Sequence, residues 1–197
     1  MKRNPGKHHR KSMRLKDYDY SAAGAYFVTI CSHNRDCIFG DIVNGKMYLS
    51  QFGDILESEW LQSREIRKEV ELDIYQVMPN HFHAIVFIAD LPENRIHRGE
   101  TDAVGANGRS PLPDSSRPRM RPKSLSSLMA GFKSAVMLRI NQIRKTPGVP
   151  VWQRNYWDRI IRNEKELFKI RQYIINNPLK WELELDHDNP ANWKSNR

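Results

Sequence analysis

The stretch from residue 72 to residue 88 restricts this chain more than any other. Residues 72–78, Leu-Asp-Ile-Tyr-Gln-Val-Met, alternate in the period-2 manner of a strand. Pro79 and Asn80 supply a tight turn, and residues 81–88 return as a second strand. Two strands joined so closely pair antiparallel, so an antiparallel hairpin organises the fold. The longest apolar run, residues 84–89, is strand-sized and far short of the roughly 18 apolar residues a bilayer span requires, which predicts a soluble protein.

Other segments attach to this hairpin. Residues 24–31 are rich in β-branched and aromatic side chains and read as a first strand, and residues 46–49 add a short hairpin arm. Between residues 50 and 70, Phe52, Ile55, Leu56, Trp60 and Ile66 recur at helical spacing. Leu125, Leu128, Phe132, Val136, Ile140 and Ile143 form the stripe of a second helix, whose solvent side carries Lys133, Arg139, Arg144 and Lys145. Residues 151–162 read as extended. Asn163 followed by Glu166 starts a last helix like a capping box, and the Asn177-Pro178 pair stops it near residue 176. The order β-α-β-β-α-β-α predicts an α+β, ferredoxin-like (RRM-like) β-α-β-β-α-β sandwich with an added C-terminal helix, the helices on one face of the sheet.

Residues 91–123, dominated by Pro, Gly, Ser, Asp and Arg, carry no apolar period and read as a long mobile loop. At 197 residues and 39% hydrophobic composition the chain makes one domain. We expect a basic tail at 1–20, a single domain at 21–185 interrupted by the 91–123 loop, and a C-terminal tail at 186–197.

Charge narrows the class of partner. Thirty-two Lys and Arg against 23 Asp and Glu leave +9, and the pI is near 9.7. Residues 1–16 hold seven basic residues and no acid, and residues 117–123 hold four and no acid. Such acid-free runs favour a polyanion, nucleic acid before any other. Only Cys31 and Cys37 are present, so disulfides do not hold this fold together. With no secretory layout after the basic start, the expected location is cytoplasmic and nucleoid-associated.

Two clusters suggest chemistry. In His81-Phe82-His83, positions i and i+2 of a strand share a face, so the two imidazoles emerge side by side while Phe82 enters the opposite layer. Two neighbouring nitrogens on a rigid strand make half of a metal site, although such a pair also arises by chance on a half-exposed strand. In the last helix, Leu167, Ile170 and Ile174 form the buried stripe, and Lys169, Tyr173 and Asn177 follow at i, i+4 and i+8 along an adjacent edge. Taken alone, Tyr173 reads as packing.

Together, Pro79-Asn80-His81-Phe82-His83 and Tyr173-Ile174-Ile175-Asn176-Asn177-Pro178 resemble the motifs of the single-tyrosine HUH transposases, an insertion-sequence family, and within it the REP-associated tyrosine transposases. The resemblance spans most of residues 26–181 and excludes the long loop. It implies a DNA strand transferase in which Tyr173 is the nucleophile, His81 and His83 are metal ligands, and Asn177 is a third, oxygen-donating ligand where many relatives have glutamine. It implies Mg²⁺ or Mn²⁺ as cofactor, a 5′-phosphotyrosine intermediate, and single-stranded or hairpin DNA as partner. Arg10, Lys11, Arg14, Arg117, Arg119, Arg121, Lys123 and Lys169 are expected to contact the DNA backbone. Trp152, Tyr156 and Trp157 offer stacking surfaces, with packing as their ordinary alternative.

A non-catalytic single-strand-binding module and a domesticated regulatory relative are the competing readings, and monomer and homodimer both stand open. The catalytic reading requires the histidine pair and Tyr173 to converge, and we expect them on one open face near the basic helices. His8, His9, His33, His97 and His187 are expected at the surface, and both cysteines in packing roles.

Overall fold

The computed structural model describes residues 18–20, 22–89 and 123–183. Residues 1–17 of the expected N-terminal tail, the expected C-terminal tail, residues 91–122 of the expected loop, and Arg10, Lys11, Arg14, Arg117, Arg119 and Arg121 lie outside them.

The elements are β1 (Gly24–Cys31), β2 (Gly40–Val43), β3 (Lys46–Leu49), α1 (Gln51–Ile66), β4 (Val70–Met78), β5 (His81–Ile88), α2 (Leu125–Arg144), β6 (Trp157–Ile161), α3 (Glu164–Ile175) and α4 (Asn177–Leu183). The predicted hairpin is present as β4–β5, with a bulge between Leu72 and Tyr75. The four-stranded antiparallel sheet has the order β4-β5-β1-β6, which is the expected α+β sandwich core. The predicted 46–49 arm finds its partner in β2, a strand not recognised in the sequence, and the two make a separate small sheet. Residues 151–162 are strand only from Trp157; ahead of it, Trp152 makes a single bridge to Ser32.

Alternation sorts the sheet residues onto two faces. Tyr26, Val28 and Ile30 of β1 and Phe82, Ala84, Val86 and Ile88 of β5 enter the main core beneath α1 and α2. There Trp60 meets Phe82 and Phe132 edge-on, with centroids 5.1 and 5.2 Å apart. The other face holds Ala25, Phe27, Ile85, Phe87 and Ile161 against Leu167, Ile170 and Ile174 of α3, the stripe the sequence predicts. Helices therefore cover both faces rather than one, because β5 is apolar on both its sides and each side needs cover.

The caps explain where the helices start. Ser50 Oγ accepts from the Phe52 and Gly53 amides, each at 3.2 Å, to begin α1. Ser124 and Ser127 close a capping box on α2. Asn163 Oδ1 accepts from the Glu166 amide at 2.9 Å to begin α3, while the Glu166 carboxylate turns to the Arg162 amide at 3.0 Å and to Arg159 at 2.6 Å. The Asn177-Pro178 pair ends α3 but does not end helical structure. α3 is interrupted at Asn176, and α4 begins with Pro178 in its first turn, where a missing N–H costs nothing.

Lys133 departs from its expected place on the solvent face. Its ammonium turns inward and donates to the Gln153, Arg154 and Asn155 carbonyls at 2.7, 3.4 and 3.3 Å, and burial lowers its pKa to about 8. Trp152 Nε1 donates to the Lys133 carbonyl at 3.1 Å, so α2 and the segment leading into β6 are tied twice. Arg139 pairs with Glu59 at 2.7 Å, and Arg144 lies 4.4 Å over the Phe52 ring.

Two glycines in helices should respond oppositely to alanine. A Cβ at Gly53 would collide with the Phe39 carbonyl, whereas one at Gly131 meets nothing within 4 Å. Gly53→Ala is expected to destabilise by about 1–3 kcal/mol through overpacking, and Gly131→Ala to stabilise by about 0.5–1 kcal/mol through helix propensity. Urea denaturation midpoints of the two variants check both signs.

Candidate functional site

The site is built on the second face of the sheet, at the turn end of β5. β5 pairs with β1 so that His83 lies opposite Thr29 and His81 opposite Cys31, and with β4 so that His83 lies opposite Gln76. His83 Nδ1 is 2.8 Å from Thr29 Oγ1, and His81 Nδ1 is 2.7 Å from Asn80 Oδ1. An amide oxygen only accepts, so as placed Asn80 fixes the Nδ1–H tautomer of His81 and leaves Nε2 with its lone pair. The two rings stand nearly perpendicular, with centroids 4.6 Å apart.

Tyr173 closes over this pair from α3. Its hydroxyl is 3.5 Å from His83 Nε2, across 90 residues of sequence, and its ring meets His83 and Phe27 edge-on at 5.3 and 6.1 Å. Phe27 also stacks on His83 at 5.5 Å. Asn177, the expected third ligand, is buried and faces His81 closely enough to favour the charged form of that ring. It does so from the first position of α4, four residues after Tyr173.

One expectation fails. His81 and His83 are 3% and 0% exposed, not on an open face. They are nevertheless not part of the apolar core under α1 and α2. Phe27 and Tyr173, both packed against the apolar cluster under α3, cover His83, and Trp181 lies 5.6 Å from His81. α4 follows α3 directly and carries Trp181, and Glu182 anchors it by accepting from the Asn44 and Gly45 amides of the β2–β3 turn at 2.9 and 2.6 Å. A phosphate reaches either Nε2 only if Tyr173 or Trp181 moves.

Burial also sets the protonation state. It drives the His81 pKa down to about 3, helped by the nearby Arg35 charge, and it holds His83 well below the usual histidine range, with His81 adding to the effect. Both rings are therefore neutral near pH 7, as metal ligation demands. Among the described residues no three His, Cys, Asp or Glu side chains gather where they could hold a metal. Two imidazole nitrogens plus the Asn177 amide oxygen form a mixed set that suits a loosely held hard divalent cation and does not suit structural zinc.

Several participants were not singled out in the sequence. Thr29 and Asn80 orient the imidazoles, Arg35 is close enough to lower the His81 pKa, Trp181 covers it, and the Lys180 ammonium lies 5.7 Å over the Tyr173 ring. Only Thr29 carried a usable signal, as a polar residue in an apolar strand. Of the expected DNA contacts, Lys169 is exposed on α3 and Lys123 precedes the α2 cap in a left-handed conformation, φ 55°. Trp152 is buried in the main core, Tyr156 is half-buried against it, and Trp157 is exposed. Cys31 packs as expected and Cys37 does not, being exposed.

Comparison with known proteins bears on the fold. The fold matches the structure of a REP-associated tyrosine transposase bound to a REP hairpin, with a TM-score of 0.52 and 18% identity, over 85% of this chain and 74% of that one. The chain thus has a tyrosine-transposase-like α+β fold. Across 187 residues it is 36% identical to a Haemophilus influenzae protein described as uncharacterized, a match covering 92% of this chain and 94% of that protein, and it belongs to the same family. No family model matches it. Among the described residues no helix is long and apolar enough to cross a membrane.

The neutral imidazoles have a consequence for stability. A histidine whose pKa falls from about 6.5 unfolded to about 3 folded contributes stability above pH 6.5, and that contribution shrinks as pH drops towards 3. NMR ring shifts should show His81 and His83 still neutral at pH 5. Acid destabilisation between pH 6.5 and 4 should be shallower in His81→Asn, by up to about 1.4 kcal/mol per pH unit. Protonation of either ring at pH 6 would contradict the burial argument.

Proposed function

We propose that this protein is a transposase-type endonuclease and strand transferase acting on single-stranded or hairpin DNA, with Tyr173 as its nucleophile. The observation that carries the reading is the approach of the Tyr173 hydroxyl to within 3.5 Å of His83 Nε2, between residues 90 apart in sequence. The contact brings the phenol to the imidazole pair, as a nucleophile acting beside that pair requires. The net charge of +9 and the fold shared with a transposase bound to a REP hairpin support hairpin DNA as the substrate class.

In the proposed step the phenolic oxygen attacks the scissile phosphorus. A Tyr–O–P bond forms, the P–O3′ bond breaks, and the products are a 5′-phosphotyrosine and a free 3′-hydroxyl. The phenol gives up one proton and the departing 3′ oxygen takes one, so the step balances. Because the ester is kept in the covalent link, rejoining by a 3′-hydroxyl needs no ATP, which suits strand transfer and is superfluous for hydrolysis.

His81, His83 and Asn177 would hold Mg²⁺ or Mn²⁺, which when bound supplies charge to polarise the phosphate. The protein's own residues do the rest. Asn80 and Thr29 hold the rings in orientation, and burial keeps them neutral. Arg35, near His81, and Lys180, over the Tyr173 ring, bring positive charge to the site, where phosphate oxygens would gather.

Two measurements check this. Hairpin DNA labelled at its 5′ or 3′ end, incubated with protein and Mn²⁺, Mg²⁺ or EDTA and run on denaturing gels, should give a metal-dependent adduct bearing the 3′ fragment, abolished in Tyr173→Phe. DNA binding with no adduct from the wild type would favour a non-catalytic binding module. Thr29→Val, which removes the Nδ1 partner of His83, should weaken Mn²⁺ binding by about 10–100-fold in spectroscopic titration, with Thr29→Ser restoring it.

A further inference from the structure

We infer that Trp157 is a base-stacking platform that seats the single strand beside the reacting phosphate. The inference rests on the reading of Tyr173 as a nucleophile towards DNA and names how its substrate is held. The first support is strand register. Gln76 of β4 is opposite His83 of β5, His83 is opposite Thr29 of β1, and Thr29 is opposite Trp157 of β6. Directly opposed residues project from the same face, so one row crosses the whole sheet from Gln76 to Trp157. Adjacent strands are about 4.8 Å apart, which puts Trp157 roughly 10 Å from His83, on the same surface.

The second support is exposure. Trp157 is 42% exposed, whereas Trp60 and Trp152 are 0% and 6%. α3 packs over β4 and β5, and its ion pair and apolar contact with β6 fall at Arg159 and Ile161, further along the strand than Trp157. An indole in the open on an edge strand gains little from folding, yet it would present a flat π-face to an unpaired base.

The third support is rigidity and charge. The backbone entering β6 is held by the Lys133 ammonium, which donates to the carbonyls of Gln153, Arg154 and Asn155, and by the bridge between Trp152 and Ser32. On the reverse side of the strand, Tyr156 and Ile160 pack against the main core, so Trp157 is fixed facing outward. Two residues along the same face, Arg159 is exposed, with its guanidinium 2.6 Å from Glu166, and Arg154 and Asn155 are exposed just ahead. An aromatic ring flanked by cations along a sheet edge is the arrangement that tracks a single strand, with the ring taking a base and the cations its phosphates.

The test is an abasic scan. A hairpin DNA with about ten unpaired nucleotides on its 5′ side, carrying an abasic site at each unpaired position in turn, is titrated with wild type, Trp157→Ala and Trp157→Phe, and all three proteins are checked for equal melting temperature. In the wild type one abasic position should weaken binding about tenfold. Trp157→Ala should bind the intact DNA about tenfold more weakly and be indifferent to that position, and Trp157→Phe should recover most of the loss. Equal binding of intact DNA by wild type and Trp157→Ala, an abasic penalty that persists in Trp157→Ala, or no binding by the wild type would each overturn the inference. Adduct formation by the wild type on the same intact DNA separates the two claims. An adduct without coupling removes the platform and keeps the nuclease, and coupling without an adduct does the reverse.

Discussion

The register between β1 and β5 is the constraint on which the other features depend. Alternate residues of β5 serve two different interiors, Phe82, Ala84, Val86 and Ile88 facing the aromatic core under α1 and α2, and His81, His83, Ile85 and Phe87 facing α3. A slip of one residue would drive both imidazoles into the main core and expose a row of large apolar side chains on the other side, so both faces resist it together. The contact between Thr29 and His83 exists only in this register, as does the row that continues to Trp157.

The site then depends on what is laid across that face. α3 supplies the phenol, and α4 directly after it brings Asn177 and Trp181 to the imidazoles. The result joins two neutral rings, each held by an oxygen at Nδ1, to cations at the margin rather than at the centre. In a chain of net charge +9, keeping positive charge off the rings themselves preserves their lone pairs, while the surrounding field still favours a polyanion.

Much of this was legible from periodicity. The hairpin, the buried stripes of α2 and α3, and the common face of His81 and His83 all follow from periods of two and 3.6 residues. What the sequence hid was set by tertiary contacts that leave no periodic trace. The β2 strand is four residues long and is defined by its partner, so its local pattern is weak. Lys133 occupies a helix position that reads as solvent-facing, yet three backbone carbonyls without other cover draw its ammonium inward. Asn177-Pro178 reads as a stop, yet helical structure resumes at once as α4 and brings Asn177 and Trp181 to His81, so the burial of the histidines left no trace in the sequence pattern.

The order of these parts along the chain has a consequence for synthesis. The imidazoles leave the ribosome 90 residues before the tyrosine, an interval of roughly 5–18 s at the usual bacterial rates of elongation. During that time β1, β4 and β5 can pair, but β6, α3 and α4 do not yet exist to complete the second face. A nascent chain stalled in this interval would therefore hold the histidines without the phenol, and the site assembles only when the final helices dock.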